Sequence, residues 1–153
     1  TYVEHGVCDL GVVGKDTIME KGGSFYEMVD LGFGKCRFAL ATQKGKTVYG
    51  HYRTPVIATK YPEVTRAFFN RKNMDVETIK IEGSVELAPL LELADAIVDI
   101  VETGSTLKEN GLEVIEDVAP ISARVIVNLA SAKLKKAAIQ RIVGDLERGG
   151  EEK

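Results

Sequence analysis

Residues 99–107, Asp-Ile-Val-Glu-Thr-Gly-Ser-Thr-Leu, set two carboxylates three positions apart and then three hydroxyls around one glycine. They follow an apolar run, Ala96-Ile97-Val98, that reads as a buried strand. A Thr-Gly-Ser-Thr turn after a strand gathers backbone N–H groups and the hydroxyls of Thr103, Ser105 and Thr106 around one concavity, as an anionic phosphate requires. Asp99 and Glu102 can accept hydrogen bonds from sugar hydroxyls or hold a hydrated Mg²⁺. Residue chemistry alone thus points to a sugar-phosphate pocket at the carboxyl end of a strand. The same turn also reads as a plain strand-to-helix connection with Thr103 or Ser105 as N-cap. Asp99 can stand at a strand end in water, although a carboxylate in a mostly apolar strand is costly without a partner.

The elements that must hold this turn alternate between strand and helix. Residues 10–13 form a short strand ending in Gly14-Lys15-Asp16, with Asp16 a plausible helix cap. Residues 37–41 and 56–59 are further strands, separated by a polar loop rich in Gly and Lys. Pro62 opens a helix where a missing N–H is harmless, with Val64, Phe68 and Phe69 on one face as core residues rather than a cofactor platform. Residues 76–81 alternate as a strand, and Ser84 caps a following helix that Pro89 must kink or start. Strands over 96–101, 112–118 and 123–127 follow. Leu134, Ala138, Ile142 and Leu146 then recur every fourth residue, an amphipathic helix capped by Ser131 and ended by Gly149-Gly150. Strands separated by helices imply an α/β fold with mainly parallel sheets and flanking helices.

Composition narrows the function classes. The chain of 153 residues is 44% hydrophobic with a net charge of −3, so it can bury a proper core and carries no global basic footprint for nucleic acid. Residues 35–72 hold nine Lys or Arg and one acid, Glu63, whereas residues 73–120 hold twelve acids and two lysines. This is either two oppositely charged solvated faces or a basic stretch that meets substrate phosphates, Lys60 being its best-placed member. Glu86, at the start of a helix, is explained by the helix dipole and reads as a support residue. Gly83 and Ser84 offer amides to an anion, or simply form a capped turn. Gly14-Lys15-Asp16 lacks the long glycine spacing of a P-loop. Cys8 and Cys36 lie in apolar, strand-like stretches, as buried thiols in a reducing compartment would. His5 and His51 have no metal-ligand spacing, no run is long and apolar enough to span a membrane, and the cytoplasm is the simplest address.

The spacing of Glu86, Ala94, Ile97, Asp99, Ile100, Thr103, Gly104, Thr106 and Leu107 resembles the signature of the ATP phosphoribosyltransferase family. The likeness extends over Tyr2-Val3-Glu4-His5-Gly6, Gly14-Lys15-Asp16, Leu31-Gly32-Phe33-Gly34-Lys35-Cys36, Ile57-Ala58-Thr59-Lys60-Tyr61-Pro62 and Gly83-Ser84-Val85-Glu86-Leu87-Ala88-Pro89, in family order. One departure falls inside the signature: position 92 is Glu where the family pattern has Gly. Glu92 is strained if φ is positive there and tolerated if the backbone is ordinary.

The resemblance implies a two-lobed fold like type II periplasmic binding proteins. Residues 1–41 would be the remainder of the first lobe, 42–120 a second lobe with the phosphoribosyl-binding loop, and 121–153 a return strand and C-terminal helix. It implies transfer of a 5-phosphoribosyl group from phosphoribosyl pyrophosphate to N1 of ATP, releasing pyrophosphate, in the first step of histidine biosynthesis. Asp99 and Glu102 would be catalytic, orienting the ribose. Thr103, Gly104, Ser105, Thr106 and Leu107, with Gly83, Ser84, Glu86 and Lys60, would bind substrate. Mg²⁺ would accompany the pyrophosphate, with no protein metal site. The expected partners are a second copy of the chain and a regulatory subunit resembling histidyl-tRNA synthetase, as in the family's short form. Thr1–His5 before Gly6 resembles the last turn of a helix, so the chain reads as lacking an N-terminal strand and helix that would face ATP, and as a weak catalyst by itself. A non-catalytic lobe for a phosphorylated ligand, or a structural part of a larger assembly, are the alternatives.

Overall fold

The computed structural model describes residues 1–50, 52–90 and 92–151, so His51 lies outside the described residues. In chain order the elements are β1 (Leu10–Gly14), α1 (Lys15–Lys21), β2 (Phe25–Asp30), β3 (Cys36–Gln43), β4 (Val56–Thr59), α2 (Pro62–Arg71) and β5 (Glu77–Lys80). A single 3-10 turn at Val85–Leu87 precedes β6 (Ala96–Val101), α3 (Ser105–Glu109), β7 (Leu112–Ile121), β8 (Ala123–Asn128), α4 (Leu129–Leu134) and α5 (Lys136–Glu151). The chain divides into two compact units, Thr1–Lys35 with Ile121–Lys153, and Cys36–Pro120. All of β3 lies in the second unit, whereas the sequence reading placed residues up to 41 in the first lobe.

In the first unit β8 is the central strand, with β1 and β2 both antiparallel to it. Val125 and Val127 of β8 pack with Val29, Leu31 and two residues of α5, Ile139 and Val143. The stripe expected to be buried is not the one that docks: Leu134 is 84% exposed and Ile142 44%, while Ile139 is 4% exposed. Two apolar rows, each with fourfold spacing, lie one residue apart on this segment, and periodicity cannot choose between them. Ser131 is not the cap. Its N–H donates to the Asn128 side chain at 3.0 Å, making Asn128 the N-cap of α4, and α5 runs on through Gly149.

Of three local expectations near the N-terminus, the first holds and two change. Residues 2–7 close as a helix end does, with Val7 N–H on Tyr2 C=O at 2.9 Å, Gly6 N–H on Val3 C=O at 3.2 Å and Gly6 at φ 81. Cys8 is exposed beyond that turn and Cys36 half-buried at the start of β3, so neither is a buried strand thiol. Gly14, not Asp16, is the N-cap of α1.

The second unit holds a five-stranded sheet in the order β5-β4-β6-β3-β7. β4 is parallel to both β5 and β6, but β3 is antiparallel to β6. The five-stranded sheet is therefore mixed and the three-stranded sheet antiparallel, rather than mainly parallel. Ala39, Ala41, Ala58, Ile97 and Val101 form one packed face with Val85, Leu107 and Leu112. Pro62 opens α2 as expected, and Val64, Phe68 and Phe69 are buried. The helix expected after Ser84 is only the one 3-10 turn, with no side-chain cap. Pro89 lacks the N–H that would let it continue, and its ring clashes with the preceding turn. The chain instead closes a tight turn, with Leu93 N–H on Ala88 C=O at 3.0 Å, Glu92 N–H on Pro89 C=O at 3.2 Å and Glu92 at φ 58.

Candidate functional site

Parallel β4 and β6 lie side by side, with Thr59 opposite Val98. From β4 the chain runs through α2 to β5 on one side and then returns to β6 on the other. In α/β sheets ligands bind at the carboxyl ends of the strands where the winding reverses in this way. Lys60 follows β4 at that end, and Asp99 and the residues after it extend from β6.

The turn after β6 is fixed from both sides. Ala96, Ile97 and Val98 are wholly buried, and Leu107 of α3, 6% exposed, packs in the same core as Val101. Between these anchors Gly104 sits in the left-handed region at φ 83, and Lys108 N–H donates to its carbonyl at 3.1 Å. The Thr103 and Ser105 hydroxyls lie 3.1 Å apart, and Ser105 N–H points to Thr103 Oγ1 at 3.4 Å. No side chain caps α3.

A cavity of about 420 Å³ opens over this turn, lined by Glu86, Asp99, Glu102 and Thr103 through Leu107. Eight of the residues singled out in the sequence thus converge. Leu107 contributes chiefly as an anchor, its side chain being in the core. Lys60, Gly83 and Ser84 do not line the cavity. Cys36, Ile100 and Val101 do, and were not foreseen. Cys36 arrives through the antiparallel pairing that sets Arg37 opposite Val101, which a mainly parallel reading hides.

Asp99 is half-buried, and burial pushes its carboxyl above the usual range. The Ile100 N–H, which Asp99 Oδ1 accepts at 2.8 Å, and the Lys60 charge oppose that rise, while Glu86 adds to it. Lys60 therefore acts on Asp99 across the β4–β6 junction although it is exposed and outside the cavity lining. Other members of the basic stretch face acids of the same unit. Arg37 meets Asp117 at 2.7 Å, Lys72 meets Glu116 at 2.7 Å, Arg53 pairs with Asp95 and Arg66 with Glu63. Much of the charge asymmetry is thus spent on ion pairs within the unit. Among the described residues no three His, Cys, Asp or Glu side chains converge as a metal cage.

These features define a class: an α/β protein with a polar, hydroxyl-rich pocket at the switch point of a mixed sheet. The periplasmic aliphatic sulphonate binding protein SsuA from Escherichia coli shares this fold, with a TM-score of 0.64 at 11% identity over 97% of this chain and 57% of that one. The sequence model of ATP phosphoribosyltransferase, HisG, matches residues 1–148, and the chain belongs to that family. The ATP phosphoribosyltransferase of Clostridium kluyveri is 60% identical over 147 residues, covering 96% of this chain and 67% of the relative. That of Clostridium novyi is 60% identical over 97% of this chain and 70% of its own. A chain of the ATP phosphoribosyl transferase HisG:HisZ complex from Thermotoga maritima superposes with a TM-score of 0.87 at 37% identity, over 99% of this chain and 75% of that one. The family expectation and the two-lobed fold type are both borne out. Among the described residues no helix is long and apolar enough to cross a membrane.

Proposed function

We propose that this chain carries the phosphoribosyl-binding part of an ATP phosphoribosyltransferase, and that residues 99–107 hold the 5-phosphoribosyl group of phosphoribosyl pyrophosphate. The observation that carries the reading is the turn itself: three hydroxyls and a left-handed Gly104 directly after an acid-bearing strand, at the switch point of the sheet. The hydroxyls of Thr103, Ser105 and Thr106 and the N–H groups around Gly104 take the 5′-phosphate. Asp99 and Glu102 accept hydrogen bonds from the ribose hydroxyls, and Glu86 stands beside Asp99 to share that work. Lys60 supplies positive charge at the same end of the sheet.

In the reaction, N1 of the adenine ring bonds to C1 of the ribose as the bond from C1 to the pyrophosphate oxygen breaks, the electron pair leaving with pyrophosphate. The base of ATP is itself the nucleophile, so the chain needs no nucleophilic side chain. Its residues align the two substrates and stabilise positive character on the ribose ring as the bond stretches. Mg²⁺ would neutralise charge on the departing pyrophosphate, held by substrate oxygens and water. A cytoplasmic setting, a homodimer and a regulatory subunit resembling histidyl-tRNA synthetase complete the proposal. The regulatory partner draws support from the paired assembly of the Thermotoga maritima relative.

Calorimetric titration with phosphoribosyl pyrophosphate tests the site. Thr106→Ala removes one hydroxyl from the phosphate cradle and should cost about 1.5–3 kcal/mol of binding, the value of a hydrogen bond to a charged group. Equal affinity in parent and variant would sink the assignment.

A further inference from the structure

Lys60 is held in a fixed place at the end of β4. Thr59, wholly buried, donates its hydroxyl to the Val98 carbonyl of β6 at 2.7 Å, and the same oxygen accepts the Tyr61 N–H at 2.9 Å. Tyr61 is anchored in turn. Its carbonyl accepts the Thr65 hydroxyl at 2.9 Å, and its ring meets Phe38 of β3 edge-on with centroids 4.8 Å apart. Lys60 therefore lies between two pinned neighbours. β4 and β6 are parallel with Thr59 opposite Val98, so one step further Lys60 comes abreast of Asp99, at the roughly 4.8 Å spacing of adjacent strands.

Asp99 is short of positive charge. The described residues lining its cavity include two further carboxylates, Glu86 and Glu102, and no lysine or arginine. On β3 the residue opposite Asp99 is the uncharged Ala39, and Arg37, two positions away, is engaged with Asp117. Burial disfavours the charged Asp99 and Glu86 adds to that, while the Ile100 N–H and the Lys60 charge oppose it. A phosphorylated sugar seated over the carboxylate brings more negative charge to the same spot. Arg37, Arg53, Arg66 and Lys72 each face an acid, whereas Lys60, among the described residues, is in no contact ion pair. It is also exposed and outside the cavity lining. We propose that Lys60 is a positioning residue for the ribose site rather than a phosphate ligand: from the neighbouring strand its ammonium offsets the negative charge gathered around Asp99, so that the carboxylate meets the ribose hydroxyls in its charged form. The inference rests on the reading of residues 99–107 as the phosphoribosyl site.

The test is the pH dependence of phosphoribosyl pyrophosphate binding, followed by calorimetry in the parent, Lys60→Met and Lys60→Arg. Lys60→Met should match the parent near pH 9 and lose affinity on acidification at a pH about half a unit higher, the shift that one charge several ångströms away produces. Near pH 5 it should then bind about threefold more weakly than the parent, the same half unit read as affinity. Lys60→Arg should follow the parent throughout. In an Asp99→Asn background Lys60→Met should shift nothing. Loss by one constant factor at every pH, or loss that persists beside Asp99→Asn, overturns the inference, because Lys60 would then hold a phosphate itself. A profile that Lys60→Met leaves unchanged overturns it too, as does failure of arginine to restore it. No binding by the parent at any pH would overturn the reading of the site and this inference with it, whereas each of the other adverse results arises in a parent that binds.

Discussion

Two turns bracket β6, and both pass through the left-handed region: Glu92 at φ 58 before the strand and Gly104 at φ 83 after it. Space is not what separates them, because a Cβ built on Gly104 would come no closer than 3.9 Å to Val101. What differs is the backbone cost. Glycine visits this region freely, whereas an L side chain pays roughly 1–2 kcal/mol for the close approach of Cβ to the following carbonyl. At the turn after β6 residue type and conformation agree. At the other end the chain keeps the conformation and changes the residue, so a strained position stands just before the strand. Strain persists where the surroundings over-determine it, and here the hydrogen bonds from Leu93 to Ala88 and from Glu92 to Pro89 do so.

The largest effect should come from Asp99, whose burial disfavours its charged form. Asp99→Asn should lower turnover by about 10²–10³-fold, as loss of one preorganised electrostatic contact commonly does. It should also stabilise the protein at neutral pH. Burial raises the folded carboxyl above its unfolded value, so the favourable contribution of Asp99 to folding is complete below the unfolded value and is lost as pH rises through the folded one. Asparagine does not ionise, so its advantage should be present at pH 7 and vanish near pH 3. Urea unfolding at the two pH values measures this, and an equal advantage at both would mean that ionisation is not its source.

Gly104→Ala breaks the agreement at the turn after β6. Alanine pays the left-handed penalty but narrows the unfolded ensemble, which returns about 0.4–1 kcal/mol. A net loss of about 1 kcal/mol in unfolding free energy is expected, with weaker binding of phosphoribosyl pyrophosphate as the hydroxyls around it shift. Unchanged stability would show that the turn relaxes into an ordinary conformation, and retained affinity would then detach the left-handed residue from the phosphate site.

The turn after β6 was legible in the sequence because each local signal there agrees with the fold: an apolar run for the strand, hydroxyl residues for the turn, a glycine where φ is positive. Pro62 and the buried pair Phe68 and Phe69 were legible for the same reason. β2 was not, since its pairing with β8 shifts register between Glu27 and Val29 and blurs the alternation that marks a strand. The antiparallel placement of β3 beside β6 left no local mark, and with it the approach of Cys36 to the cavity went unseen. The buried face of α5 was misread because the longer apolar row, Leu134 to Leu146, is not the one that docks, and only tertiary contact decides between Ile139 and Ile142. For Glu92 the departure from the family glycine was visible, but only the backbone says which of its two consequences applies.

The smallest predicted effect bears most directly on the comparison of the two turns. Glu92→Gly should relieve about 1–2 kcal/mol of backbone strain and give back about 0.4–1 kcal/mol through the freer unfolded chain, for a net stabilisation of roughly 0.5–1 kcal/mol. In a domain of this size that raises the melting temperature by about 1–4 °C. Glu92→Ala separates backbone from charge: it removes the carboxylate but keeps the Cβ, so it should gain almost nothing. If alanine stabilises as much as glycine, the cost at position 92 lies in the carboxylate, and the two turns flanking β6 would differ in electrostatics rather than in strain. If only glycine stabilises, the chain holds a conformation there that its own residue disfavours, opposite in sign to Gly104→Ala.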